Sequence, residues 1–136
     1  MKKHFILSII ALFIISLLII SCTGSLEKNI PGVWKAKTVV TNIDTTKISN
    51  EQINKGIEIQ KSISFEYFKD HTMDVITSGG SFSGTWSFST ESNEIFIRID
   101  GCNPKDSTIM GKLVNGKIIS NNETPVGEFI VTYVKE

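Results

Sequence analysis

From Gly32 to the C-terminus the chain alternates apolar and polar residues in short runs, each cut off by turn formers. Ile95, Ile97 and Ile99 set against Phe96, Arg98 and Asp100 form the clearest run. Successive side chains of a strand point to opposite faces, so period two predicts strands with one buried face. Many short strands at such close spacing fold as a sandwich or a barrel, and few other architectures remain.

The runs number eight. Val33 to Thr41 is the first, and Ile63, Phe65 and Tyr67 alternate with Ser62, Ser64 and Glu66 in the second. Thr72 to Thr77 follows the Lys69-Asp70-His71 turn, and Phe82, Trp86 and Phe88 share a face of the fourth, with Gly84 between them. After the isoleucine strand, Ile109 to Val114 and Lys117 to Ser120 flank Asn115-Gly116. That dipeptide suits the two positive-φ positions of a type I′ turn, so these strands form a hairpin. Glu128 to Val134 closes the chain, with Phe129, Val131 and Tyr133 on one face. One segment departs from period two: Ser49-Asn50-Glu51-Gln52 fits a capping box, and Ile53 and Ile57 follow at helical spacing. A short helix over residues 49–60 is therefore predicted between strands one and two. Gly56 within it costs about 1 kcal/mol relative to Ala. Short connections between eight antiparallel strands favour an up-and-down barrel, because closure removes exposed sheet edges.

The N-terminus reads differently. Lys2 and Lys3 precede a run from Phe5 to Ile20 broken only by Ser8 and Ser16. As a helix those residues span roughly 24 Å, short of a hydrocarbon core of ~30 Å. A basic start, an apolar stretch and then small residues match a cleaved secretory signal. The closing Ile19-Ile20-Ser21-Cys22 resembles the bacterial lipobox, which implies cleavage after Ser21 and lipidation of Cys22. The implied groups are a thioether-linked diacylglycerol and an acyl chain, such as palmitate, on the new amino terminus. One acyl chain holds a membrane marginally, whereas two or more anchor stably. An uncleaved anchor with an incidental Cys is the alternative, and both tether the domain to a membrane. Thr23 stands where inner-membrane retention usually takes Asp, so the expected address is the outer membrane of the cell envelope. The expected organisation is a lipoprotein signal peptide at 1–21, a lipidated tether at 22–31 and a barrel domain at 32–136.

Composition narrows the function classes. The mature chain keeps 12 Lys and Arg against 14 Asp and Glu, a net charge of −2, so nucleic-acid binding lacks an electrostatic basis. With Cys22 lipidated, Cys102 is a lone thiol and the domain has no internal disulfide. His71 is the one histidine left, too few with one Cys for the usual zinc sites, so no metal or cofactor is expected. No G-x-S-x-G or phosphate-cradling glycine pattern is present; Ser78-Gly79-Gly80-Ser81 reads as a tight turn. Glu66, Asp70 and Asp74 lie within one hairpin, and two carboxylates can suffice for glycoside hydrolysis. On a hairpin, however, such acids more often serve as solvated charges that discourage edge pairing. The sequence therefore predicts a protein that is not an enzyme.

Gly32-Val33-Trp34 resembles the G-x-W signature of lipocalins, in which the Trp closes the bottom of the barrel. The stretch from Phe65 to Trp86 resembles the short lipocalin-like lipoproteins common in Bacteroidetes: an aromatic strand, a Lys-Asp turn, a second strand and then Gly84-Thr85-Trp86. Lipocalins also place a basic residue, usually Arg, late in the barrel over that Trp. Here the sole arginine is Arg98 in strand five, and the last strand offers Lys135. The resemblance implies a structural Trp34 and a barrel that takes a small apolar ligand, lined by Phe65, Tyr67, Phe82, Trp86 and Phe88. An eight-stranded barrel is just wide enough to hold one small ligand or to be filled by its own side chains. The second possibility makes the domain an interaction module or inhibitor at the envelope, with Phe68, Ile76 and Phe96 facing outward toward a protein partner or packed under the helix.

Replacing Cys22 tests the anchor. Cys22→Ser is expected to abolish lipidation and either release the domain into the soluble fraction or leave the signal uncleaved. Mass spectrometry of the mature N-terminus is the measurement, and an unmodified Cys22 in the parent protein removes the lipoprotein reading.

Overall fold

The structure is a computed structural model that describes residues 25–102 and 107–136. The expected signal peptide and Cys22 lie outside the described residues. Eight strands and one helix follow in order: β1 (Gly32–Ile43), α1 (Asn50–Ser62), β2 (Ser64–Tyr67), β3 (Thr72–Thr77), β4 (Gly80–Ser89), β5 (Glu94–Ile99), β6 (Thr108–Val114), β7 (Lys117–Thr124) and β8 (Gly127–Lys135). Each strand pairs antiparallel with the next, and β1 also pairs with β8, closing the sheet into a barrel. The eight-stranded up-and-down barrel with a short helix between strands one and two is thus the fold.

Local chemistry sets each junction. Asn115 and Gly116 have φ of 49° and 73°, and Val114 pairs with Lys117 across them, as a type I′ hairpin requires. The capping box of α1 is complete: Gln52 N–H donates to Ser49 Oγ at 3.3 Å and Ser49 N–H donates to Gln52 Oε1 at 3.1 Å. The helix lies mainly on β1 and sets Gly56 against the ring of Phe129, where a Cβ would stand 3.1 Å from the ring tip. A glycine that weakens the helix therefore allows it to sit close to β8.

Strand β1 runs two residues beyond the predicted end and carries a bulge between Ala36 and Thr38. Two polar residues in succession, Lys37 and Thr38, would throw the alternation out of phase. The extra residue restores it, so Trp34 and Ala36 point inward before the bulge and Val39 after it, all against the core.

At the chain's N-terminal side Leu26–Asn29, within the stretch read as tether, forms a single 3₁₀ turn. It delivers Ile30, fully buried, under the barrel. Trp34, also buried, donates its indole N–H to the Ile30 carbonyl at 2.7 Å. Lys135 pairs opposite Trp34 in register, crosses over Gly32 and donates from Nζ to the Asn29 carbonyl at 3.1 Å. Gly32 has φ of 135°, a conformation side chains rarely adopt. Gly32 and Trp34 thus have separate structural reasons, and Lys135 stands opposite Trp34 in register.

Because Trp34 is buried and its N–H is satisfied by backbone, truncation removes both packing and a hydrogen bond. Trp34→Ala is expected to destabilise the domain by roughly 3–5 kcal/mol, and Trp34→Phe by less. Urea denaturation followed by circular dichroism measures it; an unchanged midpoint would mean that this end of the barrel does not depend on Trp34.

Candidate functional site

The barrel has two ends of different character. The near end collects the start of β1, the turns β2–β3, β4–β5 and β6–β7, and the end of β8. The far end collects the end of β1, the turns β3–β4 and β7–β8, and the β5–β6 connection.

Toward the near end the interior is filled by rings. Phe65 stacks on Tyr67 with centroids 6.1 Å apart, Tyr133 meets Phe65 edge-on at 5.3 Å, and Trp86 meets Tyr67 edge-on at 5.7 Å. Edge-to-face pairs align the positive rim of one ring with the negative face of the next. Met73, Ile95, Met110, Leu113, Ile118 and Val131 belong to the same core. Of the five residues singled out as lining, the structure brings Phe65, Tyr67 and Trp86 together here. Phe88, opposite Ile95, packs against the cluster from its margin.

Phe82 stands apart from them. It pairs with Val75 and shares the inward face of β4, yet it is 53% exposed at the far mouth. Val75, Ile97, Ile99 and Ile63 are only partly buried. Phe129, inward on β8, carries α1 on the other side of this mouth. Phe129 and Tyr133 were missing from the predicted lining, although their shared face with Val131 was legible in the alternation.

Of the titratable hairpin residues, the structure brings Glu66 and Asp74 together and leaves Asp70 and His71 in the turn. Glu66 and Asp74 lie opposite each other in register on the outer wall, and Asp74 accepts a hydrogen bond from Ser83 Oγ at 2.7 Å. Asp70 is held in its own turn, where the Thr72 hydroxyl and then its backbone N–H keep the carboxyl below the usual range. His71 stacks on Trp86 at 4.6 Å, with Nδ1 3.2 Å from the Trp86 carbonyl and Nε2 3.4 Å from Glu27. It links the β2–β3 turn to the N-terminal 3₁₀ turn, a contact that sequence position did not suggest. Among the described residues no three His, Cys, Asp or Glu side chains gather as metal ligands. Cys102 is exposed with a free thiol.

Two clefts open beside the N-terminal turn at the near end. One, of about 790 Å³, has Trp34 and Leu113 among its lining, with Leu26, Asn29, Lys112 and Lys135. The other, of about 510 Å³, lies between Glu27, Pro31, Lys69 and His71.

The sequence matches no family model and no curated protein. The fold is similar to the crystal structure of a DUF4847 family protein from Bacteroides vulgatus ATCC 8482. The TM-score is 0.52, with 12% identity over 83% of this chain and 98% of that one. At that identity the likeness is one of fold.

Two buried phenols make the core sensitive to alkali. Burial, and then the neighbouring Tyr133, raise Tyr67 far above the ordinary value; burial pushes Tyr133 up to about 12. In the unfolded chain both ionise near 10. The folded values are the higher ones, so stability is intact below pH ~10 and falls as pH rises above it, by up to ~1.4 kcal/mol per pH unit for each tyrosine. Tyrosinate absorbance at alkaline pH should therefore appear together with loss of the β-sheet circular dichroism signal; tyrosinate formed near pH 10 in a folded barrel would contradict the burial. Tyr67 Oη has no hydrogen-bond partner among the described residues. Tyr67→Phe is accordingly expected to leave stability at neutral pH unchanged or raised.

Proposed function

We propose that this protein is an envelope lipoprotein, anchored through Cys22, whose lipocalin-like barrel takes up a small apolar molecule at its far mouth. One observation carries the reading: Phe65, Tyr67, Tyr133 and Trp86 pack ring against ring inside the barrel, while inward-facing Phe82 at the far mouth is 53% exposed. A barrel filled for stability alone gains nothing from a large ring half in water at its rim. Burying the rest of that ring, with Val75 and Ile99, is favourable at roughly 25 cal/mol per Å² of apolar surface. The ligand is small because the rings of Phe65, Tyr67 and Trp86 stop it part-way down.

The second reading, a filled barrel that binds a protein partner, is favoured by a different feature. On the outer wall Ile109 is 55% exposed, opposite half-buried Phe96, and Ile76 is also exposed, while α1 packs on β1 instead of over them.

Titration with 1-anilinonaphthalene-8-sulfonate as the apolar probe separates the two. The first reading expects saturable binding at one site, weakened about tenfold or more by Phe82→Asp, a loss of about 1.4 kcal/mol. Phe82 is exposed enough for that substitution to leave the fold intact, which circular dichroism checks. Binding that ignores Phe82→Asp but is lost in Ile109→Asp moves the site to the outer wall.

A further inference from the structure

We propose that the near end of the barrel is a membrane-docking face, seated on the phospholipid surface that holds the protein's own anchor. The inference rests on the lipoprotein reading of Cys22 and extends it to the orientation of the whole domain.

The leash decides the geometry. Three peptide steps separate Cys22 from Ser25, and at 3.8 Å per step they reach about 11 Å at most. From Leu26 the chain is bound to the barrel, through the 3₁₀ turn, buried Ile30 and the Ile30–Trp34 hydrogen bond. A lipid on Cys22 therefore holds the near end at the headgroups, whatever conformation the leash takes. The far mouth is carried away from the bilayer, at the other end of strands such as β1, whose 12 residues extend for roughly 40 Å.

The side chains at this end suit that surface. Three of its tips pair an exposed apolar side chain with an exposed lysine. Leu26, 47% exposed, is followed by Lys28 in the 3₁₀ turn; Phe68, 37% exposed, by Lys69 in the β2–β3 turn; and Val114, 37% exposed, by Lys117 in the β6–β7 hairpin. Lysines can lay their stems on apolar surface and keep the ammonium at the level of lipid phosphates. The nearby acids Glu27 and Asp70 are turned toward His71 and Thr72, and Glu136 is paired with Lys35 at 2.7 Å. Asp70, Glu136 and Glu91, on the β4–β5 turn, are the exposed acids of this face, against exposed Lys28, Lys69, Lys112, Lys117 and Lys135. Around the far mouth Glu123 and Glu128 stand on the rim strands, charges that an anionic bilayer repels, while Asp44 is paired with Lys47 at 3.6 Å. Docked this way, Phe82 and the far mouth open to the aqueous side, where a ligand or partner arrives.

Amine acetylation of the full lipidated chain in vesicles of phosphatidylethanolamine and phosphatidylglycerol tests this, with each lysine read by mass spectrometry after digestion. Lys28, Lys69 and Lys117 are expected to react severalfold more slowly than Lys47, Lys55 and Lys61 of the far side, and equally so when the protein is diluted in the bilayer. Uniform reactivity with a lipidated Cys22 overturns the docking face alone. An unmodified Cys22 in the same digest overturns the anchor, and the docking face with it. Protection that falls on dilution assigns the face to a second copy of the chain and also overturns the proposal.

Discussion

The hydrogen bond from the Trp34 indole to the Ile30 carbonyl ties together the parts that make this barrel closed at one end. Strand β1 is the seam of the cylinder, paired on one side with β2 and on the other with β8, so its register sets the level of every strand around it. Trp34 stands near the start of that seam, opposite Phe65 on β2 and Lys135 on β8. The bond holds the N-terminal turn across the opening, and Ile30 joins Trp34 in the core cluster. Lys135 braces the same turn through Asn29. Closure of the sheet and closure of the end therefore meet at one residue.

This arrangement explains why the interior is divided. Rings from β2, β4 and β8 stack upward from Trp34 and use the width of the barrel, which for eight strands leaves little beyond side-chain volume. The unpaired Tyr67 hydroxyl sits in that packed layer, a polar group retained without a partner in the described structure. Beyond the layer Val39, Val75 and Ile99 are only partly buried, and Phe82 and Phe129 face a mouth covered on the β1 side by α1.

Much of the fold was legible because alternation reports which face a side chain takes. Ile95, Ile97 and Ile99, the Asn115-Gly116 turn and the Ser49–Gln52 box each encode their local structure within a few residues, and each appears as expected. Alternation carries no information about height along the barrel axis, which depends on register between strands distant in sequence. Phe82 and Trp86 share one face of β4 and looked equivalent; pairing with Val75 and Ile97 sets them at opposite ends. The bulge at Lys37 was hidden for a related reason, since a strand shifted by one residue appears in sequence only as a lapse in rhythm. His71 is half exposed in its turn, and its partners Glu27 and Trp86 were not legible because they come from elements that meet it only in the closed barrel.

Position along the axis also bears on what the domain can do. A site inside the ring layer would have to displace packed aromatics, at several kcal/mol for each ring moved out of contact. A site at the far mouth asks for no such displacement, because Val75, Ile99 and Phe82 are already partly in water. The helix that covers one side of that mouth lies on β1, buries Ile53 and meets β8 through Gly56 and the tip of the Phe129 ring. For the proposed site, the depth to Trp86 and Phe65 would limit ligand size, and the angle at which α1 lies across Phe129 would limit ligand shape. Substitutions at Gly56 would alter the second limit without touching the first, since any added Cβ presses on the Phe129 ring and lifts the helix away from β8.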